Sequence, residues 1–436
     1  LRDHLAVAGI LGLTLLNLVP VVLFLAFGWV LGPWLRARRR RTLATPPPAP
    51  VEPPPIDAAA WAGRTLEIVA GEVSGDRLVA PVVRVLRAAA PDLRIVALAG
   101  PATREAGAEL RMDLTSHAVA GVTAVIGSLG TWWGVLARTF ARWRREPPDI
   151  LLTVDYPGLN VRLARFARRR GARVVHLVAP QIWAHSPWRV VRWRRAVHRI
   201  LATFPFEVPL LAGAGIPTSH TGHPLFEAPA PAPRTAVTAP AGPAIVEVWP
   251  GSRRMEIERL GPLLARVALH LATRRPGLVF VPRLADPAHG AGLAAGWSRV
   301  PGAPPLTAAA EVADLPLLGA LACSGTATAE LAVQLVPHAG VYHVGRPARV
   351  LAWLGVTSPW ILLPNLVAGR LVVPERMLAS EREAARAAAG LVAHLVDAAA
   401  WQRARAGLEI VRERLITPDV ASRVARAVLA EGRGAR

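Results

Sequence analysis

Residues 150–160 read ILLTVDYPGLN, and this stretch constrains the fold more than any other in the chain. Its first five residues form an apolar, β-branched run with no alternation, the pattern of a strand buried on both faces in a parallel sheet covered by helices. Asp155 follows at once, then a Pro-Gly turn and an arginine-rich helical pattern. Asp155 is therefore expected at the carboxyl end of a central parallel strand, the end outside which open α/β sheets bind ligands. A carboxylate in that place also closes turns and caps helices, so the rest of the chain must decide between the two readings.

The remaining chain repeats the strand–turn–helix alternation twice. In the first block residues 65–70 form a strand, 71–76 a turn and 77–89 a helix, and short strands follow at 93–99, 150–154, 173–178, 200–204 and 218–221. A Pro/Ala-rich linker at 229–243 precedes the second block. There, strand 244–249 runs into Pro250-Gly251-Ser252-Arg253 and a helix, 278–281 is a strand, and 318–323 runs into Ser324-Gly325-Thr326-Ala327-Thr328-Ala329-Glu330 and a helix. Such alternation specifies parallel sheets with helices on both faces. A chain of 436 residues with 52% hydrophobic content can also fill more than one core. The expected fold class is α/β, with two Rossmann-like domains facing across a cleft in the glycosyltransferase B manner. A transmembrane anchor with a basic flank (1–41) and a Pro-rich linker (42–63) come first. The first domain then covers 64–228, the second 244–380, and C-terminal helices 381–436.

The anchor is expected because no charged residue occurs between positions 5 and 35, more than the roughly 20 residues a spanning helix needs. The arginine cluster at 36–41 follows this run, which by the positive-inside rule leaves everything downstream on the cytoplasmic side. The net charge of +21 comes from 51 basic residues, all arginine, and would suit a polyanion. No zinc-finger spacing or aromatic RNA-binding motif accompanies it, so nucleic acid is set aside in favour of a membrane surface. Residues 132–145 and 188–195 interleave tryptophan with arginine; each reads as a sheet-covering helix or as an interfacial one, and with an anchor expected the interfacial reading is preferred for at least one. The single cysteine, Cys323, excludes an intrachain disulfide and reads as a buried thiol.

Three turns carry the chemistry. Pro250-Gly251-Ser252-Arg253 and residues 324–330 each lie between a strand and a helix, where backbone N–H groups and the helix dipole favour an anion. Arg253 can fork onto two oxygens, and Glu330 can accept from a ribose diol. Each turn alone is equally an ordinary strand-to-helix connection; two in one domain point to a diphosphate site. The turn Gly71-Glu72-Val73-Ser74-Gly75-Asp76 bears carboxylates that would repel phosphate and suits a neutral sugar ring, although Glu72 and Asp76 could instead support the helix that follows. No D-x-D pair and no H-E-x-x-H spacing is present, so no metal site is expected and a leaving diphosphate would rely on helix N-termini and Arg253.

Taken in order, residues 70–76 (AGEVSGD), 154–157 (VDYP), 179–184 (APQIWA), 201–207 (LATFPFE), 222–224 (GHP), 250–253 (PGSR), 324–330 (SGTATAE) and 363–370 (LPNLVAGR) resemble the lipid-A-disaccharide synthase family. The resemblance covers about residues 66–375. It implies transfer from UDP-2,3-diacylglucosamine to 2,3-diacylglucosamine 1-phosphate with inversion, no cofactor and no metal, at the cytoplasmic side of the bacterial inner membrane. Membrane lipids are implied as partners, and an oligomer is compatible. By position the catalytic aspartate falls on Asp155 and the diphosphate-loop arginine on Arg253. UDP-sugar contacts fall on Gly251, Ser252, Ser324, Gly325, Thr326, Thr328, Glu330 and Asn365, and acceptor contacts on Gly71, Glu72, Ser74, Gly75, Asp76 and Trp183. Glu72 is also the residue expected to orient Asp155. The chain departs from the family at Ala124, Gly158 and Leu371, where acidic residues are usual. Two other readings stay open: another UDP-N-acetylhexosamine transferase or epimerase of the same fold, and a membrane-anchored protein that binds nucleotide sugar or lipid with weakened catalysis.

Overall fold

The structure is a computed structural model describing residues 18–47, 52–117 and 129–432. The chain divides into two compact units. Of the described residues, the first draws on those within 18–31, 47–224 and 418–432, the second on those within 32–46 and 225–417.

The first unit is built on a seven-stranded sheet of order β3-β2-β1-β4-β5-β6-β7. Its strands are β1 Thr65–Ala70, β2 Arg94–Ala99, β3 Glu109–Asp113, β4 Ile150–Val154, β5 Arg173–Leu177, β6 Arg199–Ala202 and β7 Thr218–His220, all parallel to their neighbours. Every residue of β4 is buried, as its unalternating sequence requires of a strand covered on both faces. The pairing runs from Leu66 opposite Ile150 to Ala70 opposite Val154, so β1 and β4 end level. Strand order reverses between them, and the crevice at such a switch point is where doubly wound sheets take ligands.

Helix Val73–Ala89 places Val79, Val82, Val83 and Leu86 on the sheet at helical spacing. The same core receives the last helix, Val420–Gly432, through Val424, Val428 and Leu429; burying each such side chain is worth about 1.5–3 kcal/mol. A Cβ on Gly432 would stand 2.3 Å from Ile150 Cδ1 and 2.5 Å from Trp61 Cη2, so only glycine permits this packing. Beside it the Glu431 carboxylate accepts from Arg173 at 2.6 Å and Arg199 at 2.7 Å. The first strand also carries a buried carboxylate, Glu67, which the Arg142 guanidinium grips with two nitrogens and Trp143 Nε1 meets at 2.8 Å.

Helix Leu129–Arg145 is thereby a sheet-covering helix: Phe140 and Trp143 are fully buried, and Phe140 stacks on Phe166 at 4.0 Å. The preferred interfacial reading does not hold for the face that bears Phe140 and Trp143, because these two rings fill the core. In the second tryptophan–arginine stretch, Trp193 is likewise buried and packs on His176 at 4.3 Å.

The second unit carries a parallel five-stranded sheet of order β12-β11-β10-β8-β9. Its strands are β8 Ala244–Trp249, β9 Leu278–Pro282, β10 Leu317–Cys323, β11 His338–His343 and β12 Glu375–Leu378. Helix Arg254–Arg274 packs through Leu260, Leu264 and Leu271, and helix Glu381–Val396 through Leu391 and Leu395, into one core. Its first strand, β8, likewise holds a buried carboxylate: Glu247 accepts from Arg234, from Arg283 at 2.6 Å and from Trp249 Nε1 at 3.0 Å. Here order reverses between β8 and β10.

The expected membrane anchor fares differently. Residues 5–17 of the uncharged run lie outside the described residues, and among the described residues no helix is long and apolar enough to cross a membrane. The described helix, Leu18–Ala44, runs straight on from the apolar stretch through Arg36, Arg38, Arg39, Arg40 and Arg41. Those arginines exclude its second half from hydrocarbon.

Candidate active site

In the first unit the turns after β1 and β4 meet. Asp155 and Tyr156 both adopt left-handed backbone, with φ of 46° and 43°, a conformation costing non-glycine residues about 1–3 kcal/mol each. Three hydrogen bonds hold the turn. The Asn160 amide, completely buried, donates to the carbonyls of Val154 at 3.0 Å and Asp155 at 2.7 Å, while Asp155 N–H donates to Leu177 O at 2.9 Å. Partial burial raises the Asp155 carboxyl above its ordinary range, against a weaker opposing pull from the Tyr156 amide. The result is a half-buried carboxylate on a sharp strand-to-helix turn, with its affinity for a proton enhanced, as a general base requires.

Gly71 faces this turn across the switch point. A Cβ there would lie 2.6 Å from Tyr156 Cδ1, so a side chain at 71 would displace the tyrosine ring. Glu72 is half-buried at the N-terminus of helix Val73–Ala89, and after burial its charge is the second influence pushing the Tyr156 phenol up. Ser74 is exposed on the same turn and Gly75 is buried.

Asp76 differs from Glu72 although both are carboxylates of one turn. It is 2% exposed and accepts from the backbone of Gly100 at 2.9 Å, Ala102 at 3.0 Å and Thr103 at 3.1 Å. Its oxygens tie the loop after β2 to this helix, the supporting role rather than the ligand-facing one. Trp183 is also turned inward: its indole donates to Glu207 at 3.2 Å and meets Phe206 edge-on at 4.9 Å. Burial pushes Glu207 up to about 8, so at neutral pH this carboxyl is mostly protonated. Phe204 stacks on Phe206 at 5.9 Å and on His223 at 5.6 Å, and burial pushes His223 down to about 4. This aromatic row after β5 and β6 ends on the neutral imidazole of His223 after β7.

In the second unit the turns after β8 and β10 lie side by side at the switch point. Gly251 takes φ 104°, which favours glycine, and a Cβ on it would approach Cys323 Sγ to 3.5 Å. Helices Arg254–Arg274 and Thr326–Val333 start from these turns, and neither N-terminus is capped by its N-cap side chain. Ser252 and Arg253 are exposed; Arg253 pairs with Glu256 at 2.9 Å. Gly325 and Thr326 are exposed, Ser324 is half-buried, and the Thr328 hydroxyl turns back to Gly325 O at 2.8 Å. Half-buried Glu330 is raised by desolvation. Two dipoles and an arginine converging on one rim can hold a diphosphate. Burial pushes the Cys323 thiol up to about 11, with the Glu256 charge second, so it is a packing group rather than a thiolate.

Asn365 stands apart from these turns. It is fully buried, donates to Val373 O at 2.8 Å and Glu375 Oε2 at 2.9 Å, and accepts from Val372 N and Val373 N, each at 2.8 Å. That uses its whole hydrogen-bonding capacity, so it shapes the loop and has no polar atom left for a nucleotide. Of the departures from the family pattern, Gly158 and Leu371 are exposed, and Ala124 lies outside the described residues.

Sequence reasoning did not find Asn160, Glu207 or His223 as site residues. Asn160 had a signal, being the first amide one helical turn beyond a carboxylate at a strand end; the other two depend on partners from separate strands.

A family model described as Lipid-A-disaccharide synthetase matches residues 66–417. The lipid-A-disaccharide synthase of Geobacter sulfurreducens is 35% identical over 382 residues, covering 83% of this chain and 96% of the relative. That of Pseudomonas aeruginosa strain UCBPP-PA14 is 33% identical over 346 residues, covering 77% and 90%. Among solved structures, Anabaena HepE in complex with UDP and glucose aligns with a TM-score of 0.46 at 12% identity, covering 86% of this chain and 100% of that one.

Proposed function

The chain belongs to the lipid-A-disaccharide synthase family and is a glycosyltransferase, and we propose that it joins UDP-2,3-diacylglucosamine to 2,3-diacylglucosamine 1-phosphate. Asp155 takes the proton of the acceptor 6-hydroxyl as that oxygen attacks the anomeric carbon. The bond from that carbon to the diphosphate breaks on the opposite face, so configuration inverts and UDP leaves. The helix N-termini after β8 and β10, with Arg253, carry the charge that develops on UDP. No cofactor and no metal enters this scheme, and activity is expected to persist in excess EDTA. Glu72 and Ser74 line the acceptor side beside Asp155, and Ser252, Ser324, Thr326 and Glu330 the donor side.

The observation that supports this reading most is the elevated, half-buried carboxyl of Asp155 on a left-handed turn at the β1/β4 switch point. Purified full chain supplied with both diacylated substrates should release UDP in step with disaccharide formation. A chain that binds UDP but turns over neither these substrates nor unacylated UDP-N-acetylglucosamine would sink the proposal and favour a binding role.

The site of action we place at the cytoplasmic face of the bacterial inner membrane, with the uncharged run at 5–35 as a single span and Arg36–Arg41 as its basic flank. Flotation of the full chain with vesicles, in the presence of high salt, tests the anchor independently of the chemistry.

A further inference from the structure

A second apolar feature sits on the second unit. Helix Arg346–Gly355 presents Val350 and Trp353, 60% and 50% exposed, three residues apart and so on one face. Its C-terminal carbonyls are held by the N-terminal helix: Arg36 Nη1 donates to Trp353 O at 3.0 Å and to Val356 O at 2.9 Å. Four residues further on, the Arg40 guanidinium lies over the Trp360 ring at 5.5 Å, and Leu43 at the end of the helix is buried. The basic half of helix Leu18–Ala44 is therefore fixed to this unit along its length. Its other half exposes Phe27, Trp29, Val30, Leu31 and Trp34.

This arrangement sets a depth. The uncharged run ends at Leu35 and the first cation after it, Arg36, is bonded to the backbone of Trp353. Trp34 and Trp353 thus flank the level at which apolar sequence gives way to arginine, the level tryptophan prefers at a bilayer surface. Arg38 and Arg41 stand on that boundary with exposed side chains, a charge pattern suited to anionic headgroups.

We propose that the Val350–Trp353 face of helix Arg346–Gly355 seats in the headgroup layer of an anionic phospholipid bilayer, so that the second unit itself rests on the membrane. The inference builds on the membrane placement above but not on the reaction.

The test uses the full chain reconstituted in vesicles of phosphatidylcholine with phosphatidylglycerol. Val350→Cys and, as reference, Val237→Cys, at a position 75% exposed, are labelled with an environment-sensitive fluorophore. Wild type, whose Cys323 is buried, is the labelling blank. At 350 a nitroxide-bearing lipid should quench the probe at least about threefold more strongly than at 237, and aqueous iodide correspondingly less. Replacing both residues, Val350→Ser with Trp353→Ser, and labelling Ala352→Cys should abolish that difference. Equal, iodide-accessible probes at 350 and 237 would overturn the proposal. So would a probe at 350 shielded from iodide and lipid quencher alike, which means that another protein copy covers the face. If the chain floats with vesicles while either result holds, the anchor stands and only the seating of this helix fails.

Discussion

The buried amide of Asn160 donates to the backbone carbonyl of Asp155 at 2.7 Å, one turn into the helix that Asp155 precedes. It thereby holds a carboxylate-bearing residue in left-handed backbone that its own side chain disfavours. Replacing Asn160 by Ala should lower kcat by about tenfold to a hundredfold, the cost of misplacing a reacting group by roughly an ångström. The donor KM should move far less, because the donor-side turns belong to the other unit. Steady-state UDP release separates the two parameters, and an unchanged kcat in a folded variant would deny Asn160 a positioning role.

Asp155→Asn should cost about 10²–10⁴-fold in kcat, the usual worth of a general base. In wild type, kcat/KM should rise with pH as Asp155 loses its proton. Because burial raises this carboxyl above its ordinary value of 3.8, the midpoint of the rise should lie above that value. A full pH profile in which Asp155→Asn retains the same rising limb would assign it to another group.

Gly71→Ala should destabilise the first unit by about 1–3 kcal/mol through overpacking, since the new methyl meets the Tyr156 ring at 2.6 Å. Introduced together with Tyr156→Ala, the same substitution should cost little. Thermal melts of the four members of this cycle check the coupling; additive losses would show that the ring is not the obstacle.

Glu207 makes stability depend on pH in an unusual direction for a carboxylic acid. Its folded value, about 8, lies above the ordinary 4.5, so between these values the folded chain holds the proton more often than the unfolded chain. The stabilising contribution is complete below about 4.5 and is lost as pH rises through about 8, at up to about 1.4 kcal/mol per pH unit. Glu207→Gln should flatten that part of the stability curve, measurable by denaturant titration at several pH values.

Arg253→Ala should leave the melting temperature nearly unchanged, because the side chain is exposed and its pairing with Glu256 lies at the surface. UDP-sugar turnover should nevertheless fall by at least about tenfold if the guanidinium carries diphosphate charge. Turnover equal to wild type would remove Arg253 from the donor site.

What the sequence makes legible follows from how each signal arises. β4 is plain because a strand covered on both faces must be apolar at every position, whereas β3, an edge strand reading ELRMD, is partly exposed throughout and carries no such run. The turns at 71–76, 250–253 and 324–330 are readable because strand, small residues and helix succeed one another locally. The separation of Glu72 from Asp76 is not, since it depends on where the loop at 100–103 packs. The same holds for Asn365, whose four partners are set by the path of the chain after the helix. Glu67 and Glu247 read as polar interruptions of strands until Arg142, Trp143, Arg234 and Arg283 arrive from elsewhere.

The last helix, Val420–Gly432, completes a core whose other members lie in residues 56–201. During synthesis, that core must therefore wait for the whole of residues 225–417 to be translated, on the order of ten seconds or more at ~5–20 residues per second. Until then Ile150, on the central strand, and Trp61 lack the cover that Gly432 brings. A ribosome stalled in the second unit leaves this apolar floor open to chaperones and proteases, so the integrity of the codons for residues 420–432 is read out by the unit made first.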